Sequence, residues 1–273
     1  MTRIAVLQMT SGIDPEANLA TISHALAEAR AGGAAMLFTP EMSLLLDRDR
    51  RRAAARIGSE REMLMDRLRS AAVEHDMWLA LGSAPVLRED GRWANRSLVI
   101  SAAGEVVGRY DKIHMFDVEL ETGESWRESS AYVAGESVEV VEDSPVGRLG
   151  LSVCYDIRFP ALFEELGRRS CDVIAIPAAF TVPTGKAHWH LLQRARAVEA
   201  SAYVVAAAQG GQHEDGRRTY GHSLVVDPWG EIVLDLSEEG PALGYAEIDP
   251  QRIASVRVQL PSLANRRPIP KSS

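Results

Sequence analysis

Two kinds of hydrophobic pattern alternate along the chain. Short apolar runs of strand length occur at residues 4–9, in "AAMLFTPE" (34–41) and in "MWLALGSAPV" (77–86). Runs of this length, bounded by turn residues, suit buried strands. Segments of helical period lie between them. Leu19, Ile22, Leu26 and Ala29 share a face behind Asp14-Pro15, which supplies an N-cap and a first helical residue. Gly32-Gly33 stops that helix. "SERE" (59–62) has the capping-box pattern and predicts the start of a second helix, with Leu64, Leu68 and Ala71 on one face.

The second half mixes hairpins with such units. "RSLVISAAGEVVGRYDK" reads as a hairpin turning at Gly104, followed by an irregular segment near 119–135. "VEVVED" and "GRLGLSVCYD" form a strand pair, leading into a helix over 161–169 and the strand "DVIAIPAAF". A helix over 186–201, the strand "YVVAAAQ" and the hairpin "HSLVVDPWGEIVLDL" come next. The strand "GYAEID", a short helix and the polar tail "LPSLANRRPIPKSS" complete the chain. Strands alternating with helices, with hairpins between, predict an α/β layered fold with mixed sheets. No linker, low-complexity tract or internal repeat divides the chain, so residues 1–273 are expected to form one domain with a short C-terminal tail.

Composition narrows the function classes. The 273 residues are 46% hydrophobic and 25% charged, with a formal charge of −8. That balance gives no general attraction for nucleic acid or an anionic membrane surface. The basic run at 48–52 reads as a solvated loop or helix face. Cys154 and Cys171 form neither a CxxC nor a disulfide framework, which suits a reducing compartment. No run reaches membrane-spanning length, and the N-terminus reads as a strand rather than a signal peptide. A cytoplasmic location is expected.

The stretch "LSVCYDIRFP" places a thiol where an apolar strand becomes a charged, proline-terminated turn. A nucleophile there is displayed, and the backbone N–H groups after it can bind an oxyanion. Cys171 has no such setting and reads as core. Glu41 and Lys112 also follow strands. Together they offer a base, an ammonium and a thiol, the parts of a nucleophilic site.

"TPEMS", "YDKIHMFDVE", "SVCYDIRFP", "AHWHLLQRARAVE", "VVAAAQGG" and "YGHSLVVDPWG" resemble, in order and over almost the whole chain, the blocks of the nitrilase superfamily of carbon–nitrogen hydrolases. The resemblance implies a four-layer α-β-β-α sandwich with two mixed sheets, assembling as a homodimer or a larger homo-oligomer. It implies a Glu41–Lys112–Cys154 catalytic set, with Glu128 of "WRESS" as a second glutamate. Glu41 would take the thiol proton, Cys154 would attack an amide carbon, and Lys112 with the Tyr155 N–H would hold the oxyanion. Ammonia would leave and water would hydrolyse the thioester, without metal or organic cofactor. Burial is expected to raise the Glu41 pKa, and Lys112 to lower that of the thiol.

The segment around 205–230 is especially similar to the branch containing deaminated glutathione amidase, and less so to the ω-amidase branch, which acts on 2-oxoglutaramate-type substrates. A small carboxylated amide is the implied substrate, and Arg217-Arg218 would suit its charge. Arg158 has two readings, a clamp on its own turn or a bidentate anchor for a substrate carboxylate. Phe180 and Thr181 are expected to line the pocket. After Glu41, "MSLLLDRDRRR" departs from the branch pattern. Rival readings are a cysteine–histidine pair using His114 or His188, and a silent binding or regulatory relative. A metal centre is not expected, because His188 and His190, two apart on a helix, point in different directions. Trp189 reads as packing.

Overall fold

A computed structural model of the chain describes residues 1–270 except 122, 124 and 239, and only the backbone of 59–61. In chain order the first half comprises β1 (Thr2–Gln8), α1 (Pro15–Ala31), β2 (Met36–Phe38), α2 (Arg50–Glu74), β3 (Trp78–Leu87), β4 (Trp93–Ile100), β5 (Val106–Asp111), β6 (Asp117–Glu119) and β7 (Ser125–Arg127). The second half comprises β8 (Val140–Ser144), β9 (Gly147–Leu151), α3 (Pro160–Arg168), β10 (Val173–Ala175), α4 (Val182–Ala200), β11 (Tyr203–Ala206), β12 (Gly210–Gln212), β13 (Arg218–Tyr220), β14 (Leu224–Val226), β15 (Ile232–Asp235), β16 (Ala242–Ile248) and α5 (Pro250–Gln259).

Two six-stranded mixed sheets result, ordered β16-β1-β2-β3-β4-β5 and β15-β14-β11-β10-β9-β8. Each has three parallel strands at its heart, β1-β2-β3 and β9-β10-β11, extended by antiparallel neighbours. Alternation along the strands sets the layers. Ile4, Val6, Met36 and Phe38 join the cluster holding Leu149, Ile174 and Val204 of the other sheet. Ala5, Leu7 and Leu37 face the opposite way, into the cluster holding Leu19 and Leu26 of α1 and Leu64 and Leu68 of α2. Phe163 of α3 and Trp189 of α4 cover the far face of the second sheet. This is the α-β-β-α sandwich the resemblance implied, and the hairpin at Gly104, where φ is +77°, is as expected.

Several boundaries differ. α2 begins at Arg50, not at "SERE": Asp49 caps it by accepting the N–H groups of Arg51 and Arg52 at 3.0 Å each. The helix runs unbroken through residues 59–62, and the side chain of Ser59, on which the capping box rested with Glu62, lies outside the described ones. The strand expected over 172–180 is regular only at Val173–Ala175, beyond which Ile176 and Ala178 still donate to the carbonyls of Val205 and Ala207. Pro177 lacks an N–H, and the chain continues as an irregular run toward the site. α4 starts at Val182, earlier than expected, with Pro183 in its first turn. The irregular segment contains the small β6–β7 hairpin and a 3-10 turn at Glu128–Ser130. No helix among the described residues is long and apolar enough to cross a membrane.

Candidate active site

Glu41, Lys112 and Cys154 all follow the carboxyl ends of strands, where α/β sheets present their ligand-binding groups. Thr39-Pro40 carry the chain from β2 to Glu41, which is 5% exposed. Gly82 of β3 lets this bend approach: a Cβ there would stand 2.1 Å from the Thr39 carbonyl oxygen and 2.3 Å from that of Pro40. Lys112 sits one residue past β5 and is 1% exposed. Its N–H donates to the Asn95 carbonyl at 2.9 Å. Cys154 opens a 3-10 turn, Cys154–Arg158, with φ at +51°, and its N–H donates to the Pro177 carbonyl at 2.8 Å. A non-glycine residue in the left-handed region marks a conformation imposed by its surroundings.

The side chains converge on the ammonium. Lys112 Nζ donates to Glu41 Oε1 at 2.9 Å and to Glu128 Oε2 at 2.8 Å. The Phe116 N–H fixes Glu128 Oε2 at 2.7 Å, and the Ala179 N–H fixes Glu41 Oε2 at 2.9 Å. Asn95, buried in β4, donates to Glu41 Oε1 at 2.9 Å and Glu128 Oε1 at 3.0 Å. The Cys154 thiol lies close enough to Glu41 for each to shift the other's pKa.

The electrostatics differ from the expectation for both Glu41 and Cys154. Burial opposes the charge on Glu41, yet the Lys112 charge and the donors around the carboxylate hold its pKa below the ordinary value. Burial and the Glu41 charge push the Cys154 thiol well up, and Lys112 offsets only part of this. Burial also opposes the Lys112 charge, but Glu128 and Glu41 hold it protonated far above neutrality. The resting site is therefore carboxylate, ammonium and neutral thiol. The outcome reverses because three side chains stabilise the Glu41 anion, whereas the thiolate would face one.

Asp156, two residues after Cys154, is fully buried. Its Oδ2 accepts from Tyr110 Oη at 2.7 Å and the Val153 N–H at 2.8 Å. Its Oδ1 accepts from the His114 N–H at 3.0 Å and lies 2.7 Å from His114 Nδ1. Tyr110, Lys112 and His114 share one stretch of chain, so this carboxylate ties the lysine segment to the cysteine turn. His114 is thereby committed to Asp156 and stacks on Phe159 at 3.6 Å. It is not poised as a base for the thiol. Neither Asn95 nor Asp156 stood out as functional in the sequence, because their partners lie dozens of residues away.

A cavity of about 290 Å³ opens over Cys154, lined also by Tyr155, Arg158, Phe180 and Thr181. Arg158 meets His188 Nδ1 at 3.3 Å and lies over the rings of Tyr155 and Phe180, with no carboxylate partner among the described residues. Arg48 and Arg217 flank the Trp126 ring, their guanidinium carbons 5.1 and 5.4 Å from its centroid. The basic run thus contributes to the cavity wall as well as to a solvated helix start. The cavity's acidic lining residues are Glu41, Asp47 and Glu128, against Lys112 and six arginines. His190, His222 and Asp235 place three candidate metal-ligand atoms within 4.8 Å of one another, but none of the three lines the cavity. Trp189 is buried packing against Phe180, its indole N–H donating to the His222 carbonyl. Cys171 is buried core, its thiol pushed up to about 12 by burial.

Comparison with known proteins fits this geometry. The family model described as carbon–nitrogen hydrolase matches residues 3–258. The chain is 38% identical over 270 residues to a deaminated glutathione amidase of Yersinia enterocolitica, covering 97% of this chain and 92% of that one. The structure of the NitFhit protein of C. elegans superposes with a TM-score of 0.91 at 37% identity, over 97% of this chain and 65% of that fusion protein. An amidase from Nesterenkonia sp. AN1, caught after Michael addition of acrylamide at its active-site cysteine, superposes with a TM-score of 0.80 at 27% identity, over 95% and 98% of the two chains. The chain belongs to the carbon–nitrogen hydrolase family and is a hydrolase of carbon–nitrogen bonds other than peptide bonds.

Proposed function

We propose that the protein is an amidase of the deaminated glutathione amidase kind, cleaving a primary amide on a small carboxylate-bearing substrate through a thioester at Cys154. The observation that carries this is the meeting of Glu41, Lys112 and Cys154 at the floor of a cationic cavity. Glu41 acts as base and Cys154 attacks the amide carbon. Lys112, a buried cation held between the two carboxylates, and the Tyr155 N–H stabilise the oxyanion. Glu128 holds Lys112. Arg158 and Arg218 bind substrate carboxylates, with Phe180 and Thr181 shaping the pocket. The amidase relatives support this substrate class.

Two thiols without a partner suit a cytoplasmic setting. A homodimer is part of the same reading: Leu191 and Val198 of α4 are 67% and 39% exposed, and the turn bearing the 47% exposed Trp229 packs beside Val198.

The test is ammonia release from a panel of 2-oxo amides, with deaminated glutathione and 2-oxoglutaramate side by side. Deaminated glutathione should be the better substrate, and Cys154→Ala should abolish release. An active enzyme whose Cys154→Ala variant keeps its turnover would overturn the thioester. Preference for 2-oxoglutaramate would assign the smaller substrate. No release from any amide, with Cys154 unreactive to iodoacetamide, would make the protein a binding relative.

A further inference from the structure

The two oxygens of Glu41 serve different partners. Oε1 accepts from Lys112 Nζ and from Asn95 Nδ2, each at 2.9 Å. Oε2 accepts the Ala179 N–H at 2.9 Å, and the same N–H lies near enough to the Cys154 sulfur to favour its thiolate. Oε2 therefore lies on the side of the thiol. Asn95 Nδ2 reaches Glu128 Oε1 at 3.0 Å, and Lys112 Nζ closes the circuit to the same oxygen at 3.1 Å. Two donors and two acceptors thus alternate around a closed ring of four atoms.

The orientation of the Asn95 amide is forced. Turned over, Oδ1 would face two carboxylates. As it stands, Oδ1 is buried with no hydrogen-bond partner among the described residues. Buried polar atoms are nearly always satisfied, so an orphan acceptor marks a group held for what its other end does.

We propose that Asn95 is a positioning residue that keeps Glu41 Oε1 occupied, so that Oε2 alone carries the proton through every step. This rests on Glu41 being the base. As the sulfur electron pair forms the C–S bond, the thiol proton passes to Oε2 and the carbonyl pair moves onto oxygen. Glu41 is then neutral and its attraction to Lys112 falls. The Asn95 N–H, an uncharged donor, still suits the carbonyl-type Oε1 of the acid and prevents it from turning. When the oxyanion pair returns, the C–N bond breaks and the proton on Oε2 goes to the departing nitrogen as ammonia. In the second half, water gives a proton to Oε2 as its oxygen bonds the acyl carbon. The C–S bond breaks and that proton returns to sulfur.

The experiment measures the pH dependence of kcat/KM, and separately kcat and KM, for Asn95→Ala and the isosteric Asn95→Asp, beside Glu41→Gln and Cys154→Ala. Thermal unfolding checks that each variant is folded. Asn95→Ala should lower kcat about 10²-fold, the loss typical of one preorganised donor, with KM within about threefold. The acidic limb of its kcat/KM profile should move to higher pH, since the Glu41 anion loses a donor, and further in Asn95→Asp, which sets a third carboxylate against two. A structural role alone would lower the melting temperature and leave the limb in place. A folded Asn95→Ala or Asn95→Asp variant with an unmoved limb would overturn the inference while Cys154→Ala and Glu41→Gln are inactive. Turnover retained by Cys154→Ala would instead overturn the reading of the reaction.

Discussion

Cys154 rests as a thiol beside a carboxylate, and this sets the acid–base behaviour expected of the site. The Glu41 pKa lies below the 4.5 of an ordinary carboxyl, and that of the thiol lies above 9.0. The acidic limb of kcat/KM should therefore fall below pH 4.5, and neither group should titrate between the two values. A limb near pH 6.5, measured with a substrate that does not itself titrate there, would point to a histidine instead. The sign for stability follows from the same shift. Glu41 stabilises the fold above its ordinary pKa, and this is lost as pH falls through its lower folded value. Lys112→Ala should cost on the order of 10²–10³ in kcat through loss of oxyanion stabilisation. It would also leave Glu41 and Glu128 facing each other without their shared cation. Asp156→Asn replaces an acceptor of several buried hydrogen bonds with a group that can also donate. A loss of about 2–4 kcal/mol in urea unfolding is expected, together with reduced turnover. Unchanged stability would show that this carboxylate does not hold the cysteine turn.

Among the elements, the close packing of β3 against the chain after β2 places Glu41. Gly82 is the point of contact, and the atoms a Cβ would meet are backbone carbonyls with little freedom to yield. Gly82→Ala should destabilise the protein by about 1–3 kcal/mol and reduce kcat, because relief displaces the Pro40–Glu41 peptide. Wild-type turnover in Gly82→Ala would show that the site tolerates displacement of Glu41. Gly185 has a comparable place in α4, where a Cβ would come within 2.2 Å of the Tyr220 ring. The C-terminal end of that helix is set by Ser201 in the left-handed region, φ +47°.

At the scale of the whole molecule, charge is distributed against the average. The chain carries −8, yet its cavity presents Lys112 and six arginines to three acidic residues. A cleft of one sign in a chain of the other attracts a small anion while the remaining surface repels it. For an anionic amide, kcat/KM should fall several-fold between about 0.01 and 0.5 M salt, as screening shortens from roughly 30 Å to a few ångströms. A neutral amide should show little change. Equal salt dependence for the two would remove the electrostatic account of substrate choice.

Local chemistry made much of this legible in the sequence. Hydrophobic period and turn residues specified alternating strands and helices, the Asp14-Pro15 start of α1 and the Gly104 hairpin, since each depends on neighbours within a few positions. Ordered motif blocks over almost the whole chain added the family and, by resemblance, Glu41, Lys112, Cys154 and Glu128. Other features depended on distant partners. The start of α2 was hidden because its cap, Asp49, sits inside a basic run, and only Ala53 and Ile57 mark the buried face before Leu64. The net pKa directions at Glu41 and Cys154 follow from how many donors reach each anion, a count that requires side chains from β4, β5 and the turn after β9. The surroundings of Arg158, His188 and the rings of Tyr155 and Phe180 with no described carboxylate, were likewise invisible in the sequence. The sequence by itself determined which reactive groups are present and which elements carry them. Only the tertiary structure decided their protonation, their orientation and the sign of the cavity, because these are sums over neighbours that the chain brings together from far apart.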